Sequence, residues 1–120
     1  MTMSVKVNDD AVSNAKKLIK DGKVDMDSDW SEAQPSADDE NDYLDDHSWS
    51  DYGKWYLAVD SDENEETKGR HKFPYGDFKQ VHRDGVIAAK QRAAQNDYNV
   101  VEKAADELLE MIDKKNGKTQ

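Results

Sequence analysis

Asn99-Val100-Val101-Glu102-Lys103-Ala104-Ala105-Asp106-Glu107-Leu108-Leu109-Glu110-Met111-Ile112-Asp113-Lys114-Lys115 is the stretch that decides the fold. Val101, Ala104, Ala105, Leu108, Leu109 and Ile112 recur at helical spacing and make one apolar stripe, with charged residues filling the rest of the circumference. A surface helix of that kind needs a partner for its stripe. The preceding segment offers one, because Val86, Ala88, Ala89, Ala93 and Ala94 form a small-residue face that lets a second helix approach closely. The spacing therefore predicts two packed C-terminal helices, about Asp84 to Gln95 and about Asn99 to Lys115, separated by a break at Asn96-Asp97 and closed by Gly117.

Upstream of this pair the signals are shorter. Asn8 or Asp9 caps a first helix with Val12, Ala15, Leu18 and Ile19 on one face, lysines in its last turns, and Gly22 where a left-handed residue is wanted. Residues 23–34 show no sustained period and read as a loop. Ser36, with Asp39 and Glu40 behind it, caps a short acidic helix that ends near His47, and Trp49 to Tyr52 adds a further turn. Trp55-Tyr56-Leu57-Ala58-Val59 is the strand candidate. Lys72-Phe73-Pro74-Tyr75 is extended but carries a proline, which removes a ladder donor and confines it to a sheet edge. The fold class expected is α+β and mainly helical: a small single domain, 1–120, with a short antiparallel hairpin, two packed C-terminal helices, and disordered tails at 1–8 and 116–120.

A length of 120 residues sets one modest core. No cysteine is present, which excludes disulfides, thiolate zinc sites and a cysteine nucleophile. No apolar run reaches the roughly 20 residues that span a bilayer, and no signal-peptide core stands at the start, so the expected location is cytoplasmic, without membrane contact. At 35% hydrophobic and 37% charged the chain lies near the disordered regime. Its aromatics oppose that, and Trp49, Tyr52, Trp55 and Tyr56 read as core rather than as a binding platform.

Charge is unevenly placed. The chain carries 17 basic and 27 acidic side chains, net −10. Residues 1–67 hold a net −13, residues 68–92 a net +5, and residues 93–120 a net −2. The basic island, Lys68, Arg70, Lys72 and Arg83 with Tyr75 and His82, is the expected recognition surface for an anion or a protein partner. Self-neutralisation against the acidic half is the competing reading. The overall negative field argues against duplex nucleic acid and favours a basic protein or cationic tail as the partner for the acidic half.

Chemical motifs are mostly absent. Asp25-x-Asp27-x-Asp29 and Asp60-x-Asp62-x-Asn64 resemble the start of a calcium loop, but position six holds Trp30 or Glu65 where glycine is needed, and position twelve holds Ser36 or His71 where glutamate is needed. His47, His71 and His82 have no metal-binding spacing, and no serine sits in a nucleophile elbow. No catalytic residue, metal or cofactor is assigned. A second reading makes His82, Arg83 and Asp84 the walls of a cleft for an enzyme or a phosphate-ligand binder, and a third makes the protein a nucleic-acid accessory.

Asp29-Trp30-Ser31-Glu32-Ala33-Gln34-Pro35-Ser36, Tyr52-Gly53-Lys54-Trp55-Tyr56-Leu57, Lys72-Phe73-Pro74-Tyr75-Gly76-Asp77-Phe78 and Val81-His82-Arg83 together resemble a group of small stand-alone bacterial and archaeal proteins that carry no assigned activity. More weakly, Trp55, Lys68, Arg70, Lys72, Pro74, Gly85, Ala88 and Ala89 are similar to a module associated with phage capsid-maturation proteases and other prophage proteins. No protease catalytic residues carry over, and the stretch from Pro74 to Gly85 departs from that pattern. The resemblance implies an accessory or assembly role. Function is thus expected to be that of a non-enzymatic interaction or adaptor module with a protein partner.

Overall fold

A computed structural model describes residues 5–64 and 66–115. The two C-terminal helices form as their periodicity requires, α5 over Arg83–Gln95 and α6 over Asn99–Lys115. Ala89 and Ala93 of α5 are buried against the stripe of α6, where Val101, Ala105, Leu108 and Ile112 are all essentially inaccessible. Burying each of the large ones contributes about 1.5–3 kcal/mol. Asp97 takes φ 61°, and the Tyr98 amide donates to Ala93, so the chain reverses in a single left-handed turn. Two bridges lie along this pair, Arg83 to Asp113 and Lys90 to Asp106, two turns apart on each helix and in opposite order, as an antiparallel pair demands.

A three-stranded antiparallel sheet lies against the helices, in the order β1 (Val5–Val7), β3 (Tyr56–Asp60), β4 (His71–Pro74). The expected hairpin is the β3–β4 pair, in the register Ala58↔Lys72, with Pro74 on an edge strand. The tail expected at residues 1–8 is corrected for residues 5–8. Val5 and Val7 alternate with an exposed Lys6, pair with Asp60 and Ala58, and pack on the core, while Asn8 donates its amide to Leu57. Three apolar-polar-apolar residues were too few to read as a strand in isolation. Residues 1–4 and 116–120 lie outside the described residues, with the remaining tail expectation and Gly117.

Helix α1 (Asp9–Lys20) follows β1. Asn8 occupies the N-cap but does not cap with its side chain. Its amide group donates instead to Gly53 O at 2.9 Å, which joins α1 to α4 (Trp49–Gly53). Gly22 has φ 78°, the conformation anticipated at the end of α1.

The loop expected over 23–34 contains structure. Val24–Asp25 forms β2, which pairs in parallel with β5 (Val81–His82), and Trp30–Ala33 forms a single turn, α2, whose N-cap Asp29 accepts from Ser31. Trp30 is buried on Gly85 of α5, and a Cβ built on that glycine would stand 2.9 Å from the indole ring. The contact needs the glycine. Helix α3 (Ala37–Asp46) opens with the anticipated capping box, Ser36 accepting from the Asp39 amide and Asp39 from that of Ser36.

The aromatic cluster is core, as its composition implied. Tyr52, Trp55 and Tyr56 are buried and Trp49 half-buried. The Tyr56 hydroxyl donates to Glu40 of α3 at 2.8 Å and lies 2.8 Å from that of Tyr52. Burial pushes the Tyr52 phenol up to about 12. Among the described residues no helix is long and apolar enough to cross a membrane.

Packing on α6 carries the fold, so Leu108→Ala is expected to cost about 3 kcal/mol in urea unfolding. Val100→Ser, at a position 69% exposed, is expected to stay within about 0.5 kcal/mol. Equal effects of the two would contradict the burial pattern.

Candidate functional site

The basic island does not assemble as one open surface. Lys68 reaches Glu40 at 3.4 Å, and Arg70 donates to the Glu63 carbonyl at 3.0 Å. Arg83 grips Asp113 with two hydrogen bonds, from Nε at 2.9 Å and Nη2 at 3.1 Å. Lys72 is half-buried on β4. Arg70 lines a cavity with Trp49 and His71, whereas Arg83 lines a different one beside Ser28, so the cations expected to act together face separate places.

Tyr75 and His82 are corrected more strongly, because neither is on the surface. Tyr75 is fully buried; its hydroxyl donates to the Lys54 carbonyl at 2.6 Å and accepts from Asn14 at 2.9 Å. That phenol ties α1 to the turn before β3, and burial holds its ionisation well above the ordinary range. A tyrosine flanked by lysines and a proline reads as exposed from its neighbours alone, but a polar tip with two internal partners lets the ring go inside.

His82 is 3% exposed. Its Nδ1 lies 2.6 Å from Ser28 Oγ, and its Nε2 lies 2.9 Å from Asp77 Oδ2. The second contact is short but too bent for a directed N–H···O bond, so its attraction is chiefly electrostatic. Asp77 is locked from its other oxygen, Oδ1 accepting from the amides of Lys79 and Gln80 at 3.1 and 2.9 Å. Burial alone would raise the Asp77 carboxyl, but the His82 contact and those two amides outweigh it and hold the group below its ordinary value. An ionised Asp77 only accepts, which assigns the ring proton to Nε2 and leaves Nδ1 to accept from the Ser28 hydroxyl.

His82, Arg83 and Asp84 do not converge as the second reading required. The imidazole turns inward, Arg83 goes to Asp113, and Asp84 Oδ2 accepts the Trp30 amide at 2.8 Å. Arg83 and Asp84 do share a cleft of about 420 Å³, and Ser28 lines it with them. Ser28 and Asp77 were missed by sequence reasoning. Ser28 stands 54 residues from its histidine, and only the β2–β5 pairing brings the two together.

A second feature was not anticipated. On the acidic helix, Tyr43 stacks on His47 at 3.9 Å and 4°, and its other neighbour is Phe78 at 4.4 Å and 13°. Phe78 holds φ 69°, a conformation costing on the order of 1 kcal/mol for a bulky residue. The three rings line a groove of about 630 Å³ together with Asp39, Asp42, Asp46 and Asp77, and among the described residues Lys79 is the one lysine or arginine in that lining. Asp39, Asp42, Asp46 and His47 are exposed.

No model of a protein family, no curated protein and no solved structure matches this chain.

Asp77 sets a pH expectation. A carboxyl held below its unfolded value contributes stability that is present above that value and lost as pH falls through the folded one. The stability difference between wild type and Asp77→Asn is therefore present above about pH 4 and narrows below it, measured as urea midpoints across pH. A difference that fails to narrow below that pH would contradict the assignment.

Proposed function

We propose that this protein is a cytoplasmic interaction module whose ligand is a basic, extended segment of a partner protein. The observation that carries the reading is the ring stack of His47, Tyr43 and Phe78 set among Asp39, Asp42, Asp46 and Asp77. An arginine or lysine side chain has an apolar stem and a cationic head. Aromatic faces suit both parts, and surrounding carboxylates suit the head. The net −13 over residues 1–67 adds a long-range field that draws in a cation and repels a phosphate backbone.

The platform is rigid enough to hold such a site. Helix α3 is closed at its start by the capping box and tied to the sheet through Glu40, which accepts from Tyr56 and meets Lys68. Phe78 is fixed by the turn that Asp77 closes. Little ordering is left for the moment of binding, which lowers its entropic cost. The weak resemblance to a prophage-associated module supports an assembly or accessory setting. The basic island contributes internally: Lys68 meets Glu40 of the acidic half, and Arg83 pairs with Asp113 of α6.

Titration of a fluorescent arginine- and lysine-rich peptide tests this. Binding is expected to weaken steeply with salt, and Asp42→Lys is expected to reduce affinity by about tenfold or more. Glu107→Lys, the same charge change at an exposed position on α6, is expected to stay within about twofold. Equal losses for the two variants, or tighter binding of duplex DNA than of the peptide, would overturn the reading.

A further inference from the structure

Independently of the groove, we infer that Ser28 is an activated nucleophile, with His82 as its general base, Asp77 as the residue that positions that base, and small cationic esters as the substrate class. The inference rests on the line Ser28 Oγ to His82 Nδ1, 2.6 Å, and His82 Nε2 to Asp77 Oδ2, 2.9 Å, with Ser28 lining an accessible cleft.

A hydroxyl becomes a competent nucleophile at neutral pH when an adjacent base takes its proton and a third group orients that base. Either imidazole nitrogen can be the base, provided the other carries the proton. The ring here is biased to that state, since the Asp77 carboxylate stands 2.9 Å from Nε2 and is itself held by two backbone amides. The ring is buried, so it has few orientations and little competing water, and Trp30 packs against it with centroids 5.6 Å apart. Bent contacts of the His82–Asp77 kind are common before substrate is present.

The cleft supplies the remaining parts. Arg83 uses Nε and Nη2 on Asp113, and its Nη1 has no other commitment among the described residues. Among the described residues it is the one cation in the cleft lining and the group available to meet a developing oxyanion. The amides of Asp27 and Ser28 donate to Asp25 and that of Trp30 to Asp84, so these three do not fill that role. Asp27, Asp29 and Asp84 also line the cleft, which selects for a positive charge on the substrate's far end and against an anionic one.

The chemistry balances as acyl transfer to water. Ser28 Oγ forms a bond to the acyl carbon as its proton passes to His82 Nδ1. The tetrahedral intermediate collapses with cleavage of the ester C–O bond, and the Nδ1 proton leaves with the alcohol. Water then adds to the acyl carbon, giving its proton to Nδ1, and the carboxylic acid departs as Ser28 recovers the proton. No metal, oxidant or second substrate beyond water takes part.

The test uses the full-length wild-type chain and a neutral fluorophosphonate probe, with the modified residue located by peptide mapping. Ser28 is expected to react at least about a hundredfold faster than the exposed Ser50. Asp77→Asn is expected to slow that labelling and Asp77→Glu to restore part of it, with the folded fraction matched by near-ultraviolet circular dichroism. A quaternary-ammonium ester is expected to be hydrolysed about tenfold faster than its neutral isostere, and Ser28→Ala to abolish both reactions. Labelling of Ser28 at the rate of Ser50, or labelling unaffected by Asp77→Asn, would overturn the inference and leave the peptide-binding reading untouched.

Discussion

One buried imidazole joins two segments of this protein that lie far apart in the chain. His82 sits at the junction of β5 and α5, with Ser28 on one nitrogen and Asp77 on the other. Those two residues belong to the segment after β2 and to the turn before β5, which are otherwise held by Trp30 on Gly85 and by Phe78 against the core. Inside a protein an unpaired ring nitrogen carries a desolvation cost of about 1–3 kcal/mol. A ring held by a hydrogen bond at Nδ1 and by a carboxylate beside Nε2 is therefore a positional constraint. Through Asp77 the constraint reaches Phe78 and the ring stack, and through Ser28 it reaches the cleft beside Arg83.

The charge map takes a different meaning once the partners are known. Lys68, Arg83 and Lys90 each meet a carboxylate of the same chain, and Arg70 a carbonyl. Much of the basic island therefore acts as internal counter-charge, which leaves the acidic half without an equal and opposite surface. Both surfaces argued for above consequently seek cations. They differ in what accompanies the carboxylates: stacked rings in the groove, a hydroxyl and a guanidinium in the cleft.

Helix α6 and its partner were legible because a stripe of apolar residues at helical spacing has one physical solution. The capping box of α3 was legible for a similar reason, as Ser36 and Asp39 satisfy each other locally. Strand β1, β2 and the turn α2 were not, since each is too short to show a period and exists only through pairing or through the seat Gly85 offers Trp30. The site residues divide along the same line. Tyr75 and His82 looked exposed beside lysines and arginines, yet each finds internal partners far along the chain, at Asn14, Lys54, Ser28 and Asp77. Ring stacking of Tyr43 on His47 had a local signal, their helical spacing, whereas Phe78 joins them through a backbone turn that no composition rule announces.

Nitrogen-15 NMR of the histidine side chains at neutral pH tests the His82 arrangement most directly. A ring protonated at Nε2 and bare at Nδ1, with its Nε2 proton slow to exchange with water and its Nδ1 resonance displaced on Ser28→Ala, is the result predicted here. A ring protonated at Nδ1, or one averaging rapidly between both forms in contact with solvent, would contradict it.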